Sequence, residues 1–276
     1  MPVATLYISD LDGTLLQPDE TLSDYTCGII RRVTGAGHLF SYATARSHIT
    51  ASRVTAGIDV SLPVVVYNGS FAVDSRTGER LITNAFGEEV HPLLHDLAAH
   101  DVWPIVYSMQ DRERYSWLPA KASRGMQWFN NTRRGDIRQT PAEAEEDLHR
   151  GQIFYLTCID EAEKLLPLYE KYRKRFHCIY HTDIYSGEQW LEILPPGVSK
   201  SAAIRQLMEK LGCERLVAFG DGKNDADMFR MADECYAVAN AHPELKAIAT
   251  AVIGANADDG VAHWLEDHLL QTHETR

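Results

Sequence analysis

The chain has 276 residues, of which 45% are hydrophobic and 24% charged, with a formal net charge of −12. That is enough apolar content for a sizeable core in one large domain or two smaller ones, and the acidic balance argues against nucleic-acid or anionic-membrane partners, whose surfaces reward clustered Lys and Arg. Five scattered cysteines without a C-x-x-C pair argue against a disulfide framework; with no basic leader and no run near the roughly 18 apolar residues of a membrane span, the expectation is a soluble cytoplasmic protein.

In chain order, the pattern predicts a buried strand over 3–9, a helix over 23–34 closed by Gly35 and Gly37, and a strand over 38–43. This is βαβ punctuation. Another apolar strand is expected at 62–67, and 71–73 with 80–83 flank a hairpin loop. From Asn84 the style changes: a helix over 88–99, strands over 103–109 and 114–118, then a polar stretch, 121–150, with weak periodicity. Strand, helix and strand return at 153–159, 161–175 and 178–181. After an apolar run at 190–194, the early style resumes with a helix over 199–211, a strand over 216–219, a helix over 224–231, a strand over 235–238 and a helical finish. The expected architecture is α/β: a Rossmann-like, doubly wound parallel sheet formed by 1–83 and 190–276, interrupted by a smaller α/β domain at 84–189.

Two acidic loops follow apolar strands far apart in sequence: Asp10-Leu11-Asp12-Gly13-Thr14 and Gly220-Asp221-Gly222-Lys223-Asn224-Asp225. In an open parallel sheet, ligands collect beyond the carboxyl ends of the strands, so two neighbouring strands can bring both loops to one metal site. A lone D-x-D is more readily a solvated turn than a catalytic pair; the accompanying residues reverse that preference. Asp10, at a strand end, suits nucleophilic attack on a phosphoryl group. Asp12 suits protonation of the leaving oxygen and later deprotonation of water. Mg²⁺ prefers oxygen ligands, and Asp10, the Asp12 carbonyl and Asp221 can supply them, with Asp225 holding a metal-bound water. Thr44 ends the second predicted core strand and can donate to a phosphate oxygen. Lys200, at a helix start, can neutralise the nucleophile and the transferring charge. Asn224 can orient phosphate or a metal-bound water. Arg46 is a candidate substrate contact, and the Asn68-Gly69 turn a candidate pocket lining. His91 and His95 stand four apart on a predicted helix with no third ligand in evidence, and are read as solvated. Glu192, just before the core resumes, is a candidate hydrogen-bond partner for sugar hydroxyls, with a strand-surface carboxylate as the plainer reading.

DLDGTLL at 10–16, TAR at 44–46, the lysine of PPGVSKSAAI at 195–204 and GDGKND at 220–225 together resemble the four ordered motifs of the haloacid dehalogenase superfamily. Asn68-Gly69, VANA at 238–241 and DDGVA at 258–262 are similar to its Cof-type branch, whose type IIB α/β cap is inserted between the second and third motifs. The resemblance implies Asp10 as nucleophile, Asp12 as acid/base, Thr44 and Lys200 as phosphate and nucleophile partners, Asp221 as metal ligand, and Asn224 and Asp225 as supporting residues. Ser9, Ala45 and Lys223 depart mildly from the usual pattern.

The leading expectation is a Mg²⁺-dependent phosphatase acting on a small phosphorylated metabolite, foremost a sugar phosphate, through a phospho-Asp10 intermediate. The alternatives are a phosphomutase or phosphotransferase using the same intermediate, and a noncatalytic phospho-ligand binding module. The sequence leaves the physiological substrate, the oligomeric state and cap motion open.

Overall fold

The computed structural model describes residues 4–182 and 187–271. Chain contacts divide it into two units, Met1–Thr83 with Ser199–Arg276, and Asn84–Val198. The first unit opens with β1 (Thr5–Ser9), α1 (Asp24–Gly35), β2 (Leu39–Tyr42), α2 (His48–Val54), β3 (Val64–Val66), β4 (Phe71–Val73) and β5 (Arg80–Thr83). Helix α1 starts where Ser23 accepts a hydrogen bond from the Thr26 amide, and it buries Thr26, Ile29, Ile30 and Val33, one stripe at helical spacing. Asp74 organises the turn between β4 and β5 by accepting from the amides of Arg76 and Thr77.

The inserted unit contains α3 (Val90–Ala99), β6 (Ile105–Met109), β7 (Glu113–Trp117), α4 (Arg124–Thr132), β8 (Gln139–Pro141), β9 (Gln152–Ile159), α5 (Ala162–Tyr172), β10 (His177–Thr182) and β11 (Gln189–Leu194). Its strands form one sheet in the order β10-β11-β9-β6-β7-β8. Leu93, Leu97, Leu156, Leu165 and Ile193 belong to its buried core. The unit continues through Val198 rather than ending near 190, because β11 pairs antiparallel with both β9 and β10. Strand β6 begins after Pro104, which lacks the amide proton a ladder needs. The polar stretch 121–150 contains α4 and β8; α4 is capped by Ser123 and buries Met126 and Phe129. Glu192 is buried, not on the strand surface: Tyr155 donates to its Oε1 at 2.7 Å, and His181 Nε2 lies 3.5 Å from Oε2.

The first unit resumes with α6 (Lys200–Leu211), β12 (Arg215–Gly220), α7 (Ala226–Met231), β13 (Glu234–Val238), α8 (Pro243–Lys246), β14 (Ala251–Ile253) and α9 (Gly260–Leu265). A parallel sheet runs β14-β13-β12-β1-β2, and an Ala43–Val65 bridge links β2 to the β3-β4-β5 sheet. From β1 the strand order proceeds to β2 on one side and β12 on the other, a topological switch point. Ser9 is aligned with both Phe219 and Tyr42, so the ends of β1, β12 and β2 lie side by side. Among the described residues, no helix is long and apolar enough to cross a membrane.

Leu156 is fully buried on β9, between β6 and β11 in the inserted unit's sheet. Leu156→Ala is expected to cost about 2–5 kcal/mol, read from a urea-denaturation midpoint with unchanged slope.

Candidate active site

Three adjoining strand ends place the chemistry. Asp10 follows β1, and its amide donates to the Phe219 carbonyl of β12 at 2.9 Å. Lys200, the first residue of α6, is almost wholly buried; its Nζ donates to Asp10 Oδ1 at 2.6 Å and to Asp225 Oδ1 at 2.7 Å. Ser199 starts that helix by accepting from the Ala202 amide. Asp225 Oδ2 accepts from the amides of Asp221 and Gly222 at 3.1 and 3.0 Å. The lysine therefore joins Asp10 to the carboxylate that shapes the downstream acidic loop. Asn224 lies in the short turn ahead of α7, which begins only at Ala226, so it is not an N-cap.

Asp221 is held from the first loop by Thr14, whose hydroxyl donates to Oδ1 at 2.8 Å. Gly13 adopts φ +72°, and a Cβ there would collide with the Asp221 carboxylate, so this turn requires glycine. One carboxylate oxygen from each of Asp10, Asp221 and Asp225 lies within 4.8 Å of the others. Both Asp225 oxygens already accept protein hydrogen bonds, so Asp10 and Asp221 are the better placed metal ligands.

This crowding perturbs titration. Burial raises the Asp10 carboxyl well above its ordinary value; Lys200 opposes the shift, while Asp225 and Asp221 add to it. Asp221 is pushed up to about 7, first by burial and then by Asp225. Burial disfavours the Lys200 ammonium, but Asp10 and Asp225 outweigh that and raise its pKa. Three carboxylates face one ammonium, so the fully ionised group carries two excess negative charges. A divalent cation fits that donor set and that charge.

Asp12 is managed differently. Arg46 Nε donates to Asp12 Oδ2 at 2.8 Å and its terminal nitrogen bonds Oδ1, a bidentate pair; the same nitrogen bonds Glu20 Oε2 at 2.6 Å. The Asp12 carboxylate is thus outside the Asp10–Asp221–Asp225 cluster, and Arg46, anticipated as a substrate contact, is engaged by two acids. Glu20 was not singled out in the sequence because it belongs to no motif.

Thr44 is fully buried, and its hydroxyl oxygen accepts from the Arg46 amide at 3.1 Å. Tyr67, Asn68 and Gly69 have φ of 50°, 49° and 104°, three successive left-handed residues, of which the first two are costly for side-chain-bearing residues. A Cβ on Gly69 would collide with the Ser199 carbonyl, so this turn packs directly against the start of α6. Asn224 Nδ2 donates to Asn68 Oδ1 at 3.3 Å, joining the turn to the acidic loop. Asn240 donates to the Gly13 carbonyl at 2.7 Å, and Asp259 accepts from Gln17, Ser23 and Thr26. The VANA and DDGVA segments therefore brace the chain on either side of the first acidic loop.

A family model described as haloacid dehalogenase-like hydrolase matches residues 7–265. The chain is 26% identical over 275 residues to the 5-amino-6-(5-phospho-D-ribitylamino)uracil phosphatase YitU of Bacillus subtilis, covering 94% of this chain and 96% of that protein. It is 27% identical over 284 residues to an HMP-PP phosphatase of Cronobacter sakazakii, covering 98% of each. The crystal structure of TM0651 from Thermotoga maritima shares the fold, with a TM-score of 0.76 and 24% identity over 95% of this chain and 96% of that one.

Because the raised carboxyls of Asp10 and Asp221 bind protons more tightly folded than unfolded, their contribution to stability is complete at low pH and is lost as pH rises through the folded values, which for Asp221 is about 7. In metal-free protein, Tm is expected to fall between about pH 4 and about pH 7 as an order-of-magnitude linkage effect, the range separating the unfolded and folded values of Asp221. Scanning calorimetry should show the slope reduced in Asp221→Asn.

Proposed function

The chain belongs to the haloacid dehalogenase-like hydrolases and is a phosphatase of their Cof-type branch; from this premise we propose that it hydrolyses a small phosphorylated metabolite, foremost a sugar or polyol phosphate, through phospho-Asp10 with Mg²⁺ as cofactor. The observation that carries this reading is Lys200 bridging Asp10 and Asp225 beside Asp221. The phospho-D-ribityl group in the name of the Bacillus relative supports a phosphorylated polyol as the substrate class.

Lys200 fixes Asp10 Oδ1, which leaves Oδ2 as the attacking atom. In the first displacement, the bond from Asp10 to phosphorus forms while the bond from phosphorus to the leaving oxygen breaks, and Asp12 gives that oxygen a proton. In the second, Asp12 takes a proton from water, the water oxygen bonds to phosphorus, and the carboxylate of Asp10 leaves. Both steps need Asp12 released from the Arg46–Glu20 pairing, so opening of that ion pair precedes proton transfer. The Thr44 hydroxyl and the Asn224 side chain hold phosphoryl oxygens, with the Asn68-Gly69 turn lining the pocket, and Lys200 offsets their charge. Asp10, the Asp12 carbonyl and Asp221 would hold Mg²⁺, with Asp225 supporting from behind. When bound, the ion offsets the repulsion between the carboxylate nucleophile and the anionic substrate.

Asp10→Asn should abolish phosphate release from a panel of sugar phosphates and other phosphate esters while leaving the circular dichroism spectrum intact; retained turnover rules out this nucleophile. Asp12→Asn should lose about 10²–10⁴-fold in kcat, with an unchanged rate removing it from the scheme. Free phosphate separates hydrolysis from phosphotransfer, which would yield an isomerised or newly phosphorylated product, and binding without turnover would identify a noncatalytic module.

A further inference from the structure

The inserted unit carries a second cluster with different chemistry. His91 and His95 lie one turn apart on α3, and the fold brings the short turn Glu145–His149 against them. His95 Nδ1 is 2.9 Å from Glu145 Oε1, and His91 Nδ1 is 2.9 Å from His149 Nδ1. The His95 and His149 rings have centroids 4.7 Å apart. One ligand atom from each of His95, Glu145 and His149 lies within 4.8 Å of the others. The third and fourth groups that the sequence left out of view beside His91 and His95 therefore come from 50 or more residues away.

The tautomers add a constraint. With Nδ1 of His149 paired to His91, its other nitrogen, Nε2, is buried and has no hydrogen-bond partner. If His149 accepts at Nδ1 in its neutral form, Nε2 carries a buried, unsatisfied proton, which costs free energy. If it donates at Nδ1, Nε2 presents a bare lone pair. A metal at Nε2 satisfies the second arrangement, and the donated Nδ1 proton to His91 becomes the outer hydrogen bond that ligating histidines ordinarily make.

We propose that His95, Glu145 and His149 form a zinc site in the inserted unit, with His91 orienting His149. Two imidazoles and one carboxylate match a tetrahedral zinc with a fourth position for water. Mg²⁺ favours all-oxygen donors, so it is poorly matched to this set and well matched to the aspartates of the other unit. Ligand atoms around zinc stand roughly 3.3 Å apart, given bonds of about 2.0 Å, a closure that asks for rotation of both the exposed His95 and the half-exposed Glu145 toward His149. The ion would add a bond between α3 and the turn before β9, two segments that already meet through Leu94 and Leu148 in the core and through the His95–Glu145 and His91–His149 contacts.

The test uses the whole, metal-stripped protein in excess MgCl₂, titrated with ZnCl₂ by calorimetry. One zinc per chain is expected, with a rise in Tm on zinc addition. Asp221→Asn should retain this event. His95→Ala and Glu145→Gln change exposed or half-exposed side chains, so the fold should persist; each should weaken zinc by at least about tenfold and lose the Tm rise. Absence of zinc binding in the wild type, unchanged affinity in both of these variants, or loss of the event in Asp221→Asn alone would overturn the proposal.

Discussion

The buried ammonium of Lys200, shared between Asp10 and Asp225, is the contact around which the first unit is arranged. A charge removed from water must be paired and hydrogen-bonded or it is prohibitively costly, so the start of α6 must meet the ends of β1 and β12 together. Asp225 then uses its second oxygen to hold the amides of Asp221 and Gly222, which shapes the acidic loop. On the other side of the helix start, Gly69 approaches the Ser199 carbonyl too closely for any side chain. One buried cation thereby links a strand end, a helix start, an acidic loop and a strained turn. Removing it would leave two nearby carboxylates buried without compensation, so its structural and chemical roles are inseparable.

Two aspartates separated by a single residue are given contrasting surroundings. Burial and the neighbouring carboxylates raise the affinity of Asp10 for protons, against the opposing pull of the Lys200 ammonium. Asp12 is partly exposed and clamped through both oxygens by a guanidinium. Environments that diverge in this way are how one residue type comes to serve two roles. The left-handed turn at Gly13 makes the separation possible, because it lets the chain reverse against Asp221 immediately after Asp12. Glu20 gives Arg46 a second anchor, so release of Asp12 can occur without stranding the guanidinium.

The two units carry donor sets of opposite character: clustered carboxylates in the parallel-sheet unit, imidazoles with one carboxylate in the inserted unit. Hard oxygen donors and borderline nitrogen donors discriminate between cations by their own chemistry.

Alternating strand and helix periods, apolar runs ending in Asp10 and Asp221, and the interruption from Asn84 are local patterns, and the sequence by itself determined the fold class, the existence of an insertion and the residues with chemical potential. The late end of the insertion was not legible, because the run at 190–194 is apolar whichever sheet it joins, and only its pairing with β9 and β10 assigns it. The helix at 124–132 escaped because its apolar stripe is narrow and the surrounding residues are charged. Tertiary structure alone decided that Arg46 faces Asp12 and Glu20, that Asp225 serves the loop and the lysine, and that Glu145 and His149 meet His95. Such partners lie tens to hundreds of residues apart, and their meeting depends on strand register and side-chain direction, which no local spacing encodes.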